Sequence, residues 1–249
     1  VINSCEAMIT IGPDLAEYVR ELNSKVPMQM IENLPLNIDQ EFDEIPIEIK
    51  NRFCPDNGLS IIYTGTFERY QGVDILIESF AQVIQRFPGI NLILVGGKPE
   101  QINNYQNMIS EMGLDGSIQF PGIVSLEDAN TYMHLADILV SPRIEGTSVP
   151  LKIYTYLYAG KPILATDIPA HSLVLSQENA CLVDPTVEGM VAGLTRLLED
   201  DQLRAAVSAE SKKLAEQKYG KAQYLSKLED IYQYLNHSKP GMIKLSDKR

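Results

Sequence analysis

The chain has little cysteine, little positive charge and no long hydrophobic run, and each shortage removes a class of function. Its three cysteines, Cys5, Cys54 and Cys181, lie far apart and show no metal-ligand spacing. A disulfide framework is therefore not expected, and free, mostly buried thiols in a reducing compartment are. Lysine and arginine number 21 against 33 aspartates and glutamates, a formal charge of −12. That balance argues against nucleic acid or an anionic membrane surface as a bulk partner. It leaves room for a local anion site, which a helix terminus and one or two cations can build whatever the total. No stretch reaches the length of a transmembrane helix, and no basic-apolar leader opens the chain. A P-loop, a nucleophile elbow and a metal-ligand cluster are all missing. Phosphotransfer by a P-loop, serine hydrolysis and metal catalysis thus lack support, and no metal is expected. His134 and His171 have no partner in sequence, which points to packing or surface roles.

What is present reads as an ordinary globular chain of 249 residues, 45 % apolar and 22 % charged, long enough to bury a sizeable core. It begins with Val1, and its first residues already read as a buried strand, which suggests a fragment of a longer chain. An apolar run at 7–11 is followed by Gly12 and Pro13, then a helix capped by Asp14 to about Leu22, then a strand over 28–31. Residues 33–57 carry prolines, Asn33 and mixed acidic residues without periodicity, as a linker would. From Leu59 onward strands and helices alternate. Strands fall at 59–64, 91–95, 117–120, 138–141, 163–166 and 180–183. Amphipathic helices fall at 73–87, 99–112, 127–135, 149–158 and 187–198. This alternation predicts a Rossmann-like, doubly wound parallel α/β sheet covered on both faces. Ligands in such folds sit beyond the carboxyl ends of the strands. The loops after Thr64, Val95, Phe120, Ser141 and Thr166 open there, and they hold the small residues. Gly96 and Gly97 would let backbone approach a ligand, or simply make a tight turn. Past residue 200 the chain is helical, with an apolar stripe from Tyr224 to Leu235, and residues 237–249 are expected to fray.

The stretch from Ser141 to Asp167 is the most informative. A loop carries one carboxylate, Glu145, beside Gly146, Thr147, Ser148 and Val149. Ser148 is placed to cap the helix that follows, and Pro150 sits near its first turn. A stop at Ala159-Gly160-Lys161-Pro162 leads into the strand from Ile163. Small residues feeding free N–H groups into a helix N-terminus suit a phosphate, and Lys152 adds a full charge beside them. Glu145 can accept hydrogen bonds from sugar hydroxyls. Taken one by one, a loop glutamate is usually solvated and a helix lysine usually lies on the surface.

This stretch resembles the donor-binding motif of retaining glycosyltransferases of GT-B architecture, the group 1 glycosyltransferases. Four further blocks follow the family order: Ile61 to Gly65 with Gly72 to Phe80, Leu92 to Gly97, Ile118 to Gly122, and Ala136 to Pro142. The resemblance covers residues 58–219. It implies that residues 1–32 end a preceding acceptor domain, 33–57 link the two, 58–219 bind a nucleotide sugar, 220–236 form a C-terminal helix and 237–249 a tail. The final helix of such folds crosses onto the other domain; packing on its own domain is the alternative. Glu145 matches the first glutamate of the family's pair, which contacts the donor sugar. Gly146, Thr147, Ser148 and Val149 would present N–H groups to sugar and phosphate, Gly65, Gly96 and Gly97 would approach the nucleotide, and Ile123 would hold the base through its main chain.

Three positions depart from the family. Counting back from Gly160, the second glutamate, which takes the ribose hydroxyls, is Thr155. The usual arginine after Gly65 is Thr66, and the usual lysine before Gly72 is Gln71. Lys152, Arg69 and Arg143 remain to meet the diphosphate. The implied activity is sugar transfer from a nucleotide diphosphate to an unknown acceptor (glycan, lipid or small molecule) with retention. The nucleotide sugar is a substrate, and no cofactor is implied. The expected location is the cytoplasm or, through contacts of the preceding domain, the inner face of the membrane. A degenerate module that binds without catalysis and an epimerase of the same architecture are the rival readings.

Overall fold

The computed structural model describes residues 2–35, 49, 53 and 58–238. Cys54, most of the expected linker and the tail beyond Ser238 lie outside the described residues. The chain divides into two compact units, one formed by residues 1–34 and 217–249 and the other by 35–216.

In the smaller unit two short parallel strands, β1 (Met8–Thr10) and β2 (Met28–Met30), pair from Met8 against Met28. Between them runs α1 (Pro13–Leu22). Gly12 occupies its cap and Pro13 its first turn, so Asp14 lies inside the helix and favours its positive end without capping it. The terminal helix, Lys221–Ser238, packs on β2, and an ion pair joins Lys227 to Glu32 in the same unit. Of the expected stripe, Tyr224, Leu228, Ile231 and Leu235 are at least partly covered, while Leu225 and Tyr232 face out.

The larger unit is built on six parallel strands: β3 (Ser60–Gly65), β4 (Asn91–Gly96), β5 (Ile118–Gly122), β6 (Ile138–Ser141), β7 (Ile163–Thr166) and β8 (Cys181–Val183). Their spatial order is β5-β4-β3-β6-β7-β8. β3, β4, β6 and β7 are buried along almost their whole length, as strands covered on both faces must be, which is why Ile, Leu and Val fill them without alternation. Helices α2 (Val73–Val83), α3 (Pro99–Glu111), α4 (Leu126–Leu135), α5 (Leu151–Ala159), α6 (Pro169–Ser172), α7 (Val187–Glu199) and α8 (Asp201–Lys218) complete it. The chain leaves β3 toward β4 on one side and later returns to β6 on the other. β3 and β6 are hydrogen-bonded neighbours, with Ile61 opposite Ile138, so their succeeding loops diverge and open a crevice between them. That topological switch point sets where a ligand can enter.

One boundary differs from the expectation at the motif. The helix begins at Leu151, with Pro150 at the cap and no side-chain cap bond. Ser148 does not cap it, because Pro150 holds the cap position and Ser148 lies two residues outside it. The N–H groups of Gly146–Val149 therefore belong to the loop, and Lys152 is the second residue of the helix. At the other end Gly160, in the left-handed region at φ +59°, stops the helix as expected.

Candidate active site

Two adjoining cavities lie on the carboxyl edge of the sheet. One, of about 320 Å³, is walled by Val95, Gly96, Gly97, Ile123 and Val124, with Thr66, Glu68 and Lys98 at its margin. The other, of about 260 Å³, is walled by α4 and α5 through Leu126, Asn130, Met133, Leu151, Lys152 and Thr155. Thr64, Gly65 and Ala129 line both, so the end of β3 is the ridge between them.

The first cavity is shaped by backbone. Gly96 has φ +117° and Gly97 φ +78°, values that L side chains rarely adopt. A Cβ on Gly96 would run into the carbonyl oxygen of Gly65, and one on Gly97 into the Phe67 ring. That ring stands edge-on to Tyr105 and Phe120, which fixes the floor. Gln101 is already engaged at both ends, accepting from the Lys98 N–H and donating to the Phe67 carbonyl. Ile123 is 74 % exposed at the rim. Such an apolar side chain in water has room to cover a flat ligand.

The second cavity holds the one cation that reaches either wall from the motif. Lys152 Nζ lies 4.0 Å from the centre of the Tyr63 ring and donates to Gln71 Oε1 at 3.2 Å. Gly65 lacks the Cβ that would stand 2.8 Å from that nitrogen. Burial, then the nearby Arg143, pushes the Lys152 pKa down to about 7. The ammonium thus has a π face and a neutral amide for company and, among the described residues, no carboxylate paired with it, an environment that an arriving anion would improve. Gln71 is itself buried. Tyr63 donates its hydroxyl to the Thr66 carbonyl at 2.6 Å, and burial pushes that phenol's pKa up. Tyr156 accepts the Thr64 N–H at 2.9 Å, and burial lifts its pKa to about 12. Two tyrosines therefore fix the end of β3, Tyr156 from α5 and Tyr63 by tying the strand to the loop that follows it. Thr155 is half-buried at the cavity wall, and its hydroxyl turns back to the Leu151 carbonyl at 3.4 Å.

The loop after β6 lines neither cavity. Glu145 is exposed there with Thr147 and Ser148. Arg143 stacks over the Tyr70 ring, 5.1 Å from its centre, and its Nε donates to the Glu145 carbonyl at 2.7 Å. Its guanidinium fills the space left beside Gly146, whose φ is +135°. Arg69 is exposed on the short turn Arg69–Gln71. The structure thus brings Lys152, Gly65 and Thr155 together, puts Gly96, Gly97 and Ile123 across the ridge, and keeps Glu145, Arg143 and Arg69 on the neighbouring loops. Of the packing and surface roles expected for His171, the structure gives it the packed one. It is fully buried, with hydrogen-bond partners on both ring nitrogens.

Sequence reasoning missed Tyr63, Tyr156 and the role of Gln71 as a partner of Lys152. A signal existed: a tyrosine inside the apolar run of β3 must find a partner for its hydroxyl. Among the described residues no group of three or more His, Cys, Asp or Glu side chains could hold a metal ion, and no helix is long and apolar enough to cross a membrane.

A parallel sheet in this order, with a cleft at its switch point walled by glycines and one enclosed lysine, defines a doubly wound α/β domain with a ligand-sized cleft. Residues 58–200 match the family model described as glycosyl transferases group 1, more than half of the chain, and the chain belongs to that family. It is 28 % identical over 159 residues to a phosphatidyl-myo-inositol mannosyltransferase of Mycolicibacterium smegmatis, covering 62 % of this chain and 40 % of the relative. It is 27 % identical over 208 residues to a lipopolysaccharide core biosynthesis glycosyltransferase of Rhizobium meliloti, covering 82 % and 57 %. The chain thus spans about half the length of these relatives. Among solved structures, sucrose-phosphate synthase from Thermosynechococcus elongatus superposes with a TM-score of 0.79 at 18 % identity, over 96 % of this chain and 60 % of that one. HepE of Anabaena, solved with UDP and glucose, gives 0.75 at 17 %, over 93 % and 63 %. Neither the epimerase nor the non-catalytic module finds support among these relatives.

Proposed function

We propose that this chain is the donor-binding half of a retaining glycosyltransferase, taking a nucleoside diphosphate sugar across the ridge at Gly65. The observation that carries the reading is the pairing of a glycine-walled apolar cavity with an enclosed lysine that has no acidic partner among the described residues. The base lies in the first cavity against Ile123 and the Gly96–Gly97 turn, and the ribose reaches the second at Thr155. The diphosphate meets Lys152, the N–H groups of Gly146–Val149 and, from the flanking turns, Arg143 or Arg69. Glu145 orients the sugar. As the glycosidic bond breaks, the departing nucleoside diphosphate gains negative charge, and Lys152, with the start of α5, stabilises it where water is scarce. Retention is carried by the family resemblance and is read from the anomeric configuration of the product. The acceptor belongs to the part of the relatives that this chain does not cover. A cytoplasmic location, with peripheral contact at the inner face of the membrane, belongs to the same proposal.

Calorimetric titration with UDP-glucose, GDP-mannose and ADP-glucose tests it, together with the matching diphosphates and bare nucleosides. One donor should bind. Lys152→Ala should weaken the nucleoside diphosphate about tenfold or more while sparing the nucleoside, as expected for a lost charged hydrogen bond. Equal losses for both ligands would remove Lys152 from the phosphates, and no binding of any donor by the wild-type chain would defeat the reading.

A further inference from the structure

His171 is fully buried beyond the carboxyl ends of β6 and β7, and the hydrogen bonds around it settle its tautomer. Nδ1 lies 2.8 Å from the Thr166 carbonyl oxygen and 3.2 Å from Thr166 Oγ1. A carbonyl only accepts, so Nδ1 carries the proton. Nε2, 3.0 Å from Ser141 Oγ, is then the acceptor for the seryl proton. Thr166 Oγ1 sends its own proton to the carbonyl oxygen of Arg143. Arg143 in turn donates through Nε to the Glu145 carbonyl, and the Ala170 N–H donates to the Gly146 carbonyl at 3.1 Å. One imidazole is tied in this way to the loop that carries Glu145.

We propose that His171 is a positioning residue, whose fixed donor and acceptor hold the Arg143–Gly146 loop in the shape that receives the donor sugar. It touches no substrate and acts through Thr166 and Ser141. The proposal rests on the donor-binding reading above. A pocket that needed only filling would take an aliphatic side chain; here both ring nitrogens are matched, and removing either partner leaves a buried polar group unsatisfied. Burial is the main reason that the imidazole titrates low, at about 4, with Lys152 and Arg143 adding to it against the Thr166 carbonyl. The ring therefore stays neutral with Nδ1 protonated throughout the neutral range, and the bond pattern does not change with pH there.

His171→Asn, His171→Gln and His171→Leu separate this role from simple packing. Asparagine can place an N–H where Nδ1–H stands and keep the bond to the Thr166 carbonyl; glutamine extends toward Ser141 and loses it. Each variant is titrated with the nucleotide sugar that the wild-type chain binds and with its bare nucleoside. The asparagine variant should stay within about threefold of wild type for the nucleotide sugar, whereas glutamine and leucine weaken it about tenfold and leave the nucleoside unchanged. Nucleotide-sugar binding at wild-type strength in the leucine variant overturns the proposal. So does a parallel loss of nucleoside, or an asparagine variant as weak as glutamine. If leucine does not fold, the asparagine–glutamine pair decides. Should the wild-type chain bind no donor, the donor-binding reading fails by itself. Amide hydrogen exchange at residues 143–149 then settles the positioning role: faster exchange in the glutamine variant than in asparagine or wild type supports it, and equal exchange refutes it.

Discussion

The two halves of the carboxyl edge make their surfaces by opposite means. Around β4 and β5 the wall is backbone and apolar side chain: Gly96 and Gly97 bring the main chain close, and aromatic rings hold the floor beneath them. Around β6 and β7 the wall is a polar network in which Lys152, Arg143 and His171 are each held by named partners. The first half depends on absent atoms, so almost any added one closes it. The second depends on particular donors and acceptors, so its failures come from changed chemistry at unchanged volume. On the donor-binding proposal, a flat, weakly charged base would meet the first kind of wall and a diphosphate sugar the second.

The largest effect should come from adding one methyl group to the first half. Gly96→Ala puts a Cβ into the Gly65 carbonyl at a backbone angle that alanine avoids, and that carbonyl belongs to the central strand, which cannot yield. We expect a loss of about 3 kcal/mol, or roughly 6–12 °C in melting temperature. Gly146→Ala, across the edge, meets only the guanidinium of Arg143, the end of a long side chain rather than backbone, and should cost about 1–2 kcal/mol. Thermal melts of the two variants compare them directly. Equal losses would erase the distinction between a wall of backbone and a wall of side chains.

The next effect belongs to the second half and depends on pH. In the free protein the Lys152 ammonium titrates near 7, depressed by burial and by Arg143. A bound diphosphate favours the charged form and raises that pKa, so binding takes up a proton. Affinity should be level below about pH 7 and fall above it, by up to about tenfold per pH unit until the pKa of the complex is reached. Calorimetry at pH 8 should return different apparent enthalpies in phosphate and Tris buffers. Gln71→Glu would set a carboxylate where the amide now accepts, moving the onset to higher pH while weakening the anion. An affinity constant from pH 6 to 9 would show that Lys152 stays charged in the free protein.

The smallest effect concerns Thr155, at the boundary of the two kinds of wall. It is half-buried and lines the cavity, so a longer side chain has somewhere to go. Thr155→Glu should tighten nucleotide binding about three- to tenfold, since charge-assisted bonds to ribose hydroxyls are roughly twice as strong as neutral ones. Its melting temperature should change by less than about 3 °C. Unchanged stability with unchanged or weaker binding would remove Thr155 from the ribose.

How much could be read before the fold was seen follows from the range of the interactions involved. Hydrophobic period and glycine position are local, so the six strands of the larger unit, the helices between them except the one-turn α6, and the stop at Gly160 were legible to within a few residues. The cap was misassigned at Ser148 because the helix starts two residues later than the period suggested, which puts Pro150 at the cap position and leaves Ser148 in the loop. Lys152 could be read as a cation near an anion site, since that required only a helix start and a charge.

The sequence by itself determined the alternation, the parallel sheet that follows from it, and the placement of small residues at the strand ends. Those depend on interactions between neighbours a few positions apart. Only the tertiary structure decided the environment of each charge. Tyr63, Gln71 and Lys152 meet although 81 residues separate the last two, and His171 joins strand ends that begin 30 residues before it. Burial and the nearest partner set whether a lysine is an exposed cation or a poised one, and whether a histidine titrates or only holds a loop. Both are properties of packing that no single stretch of chain contains.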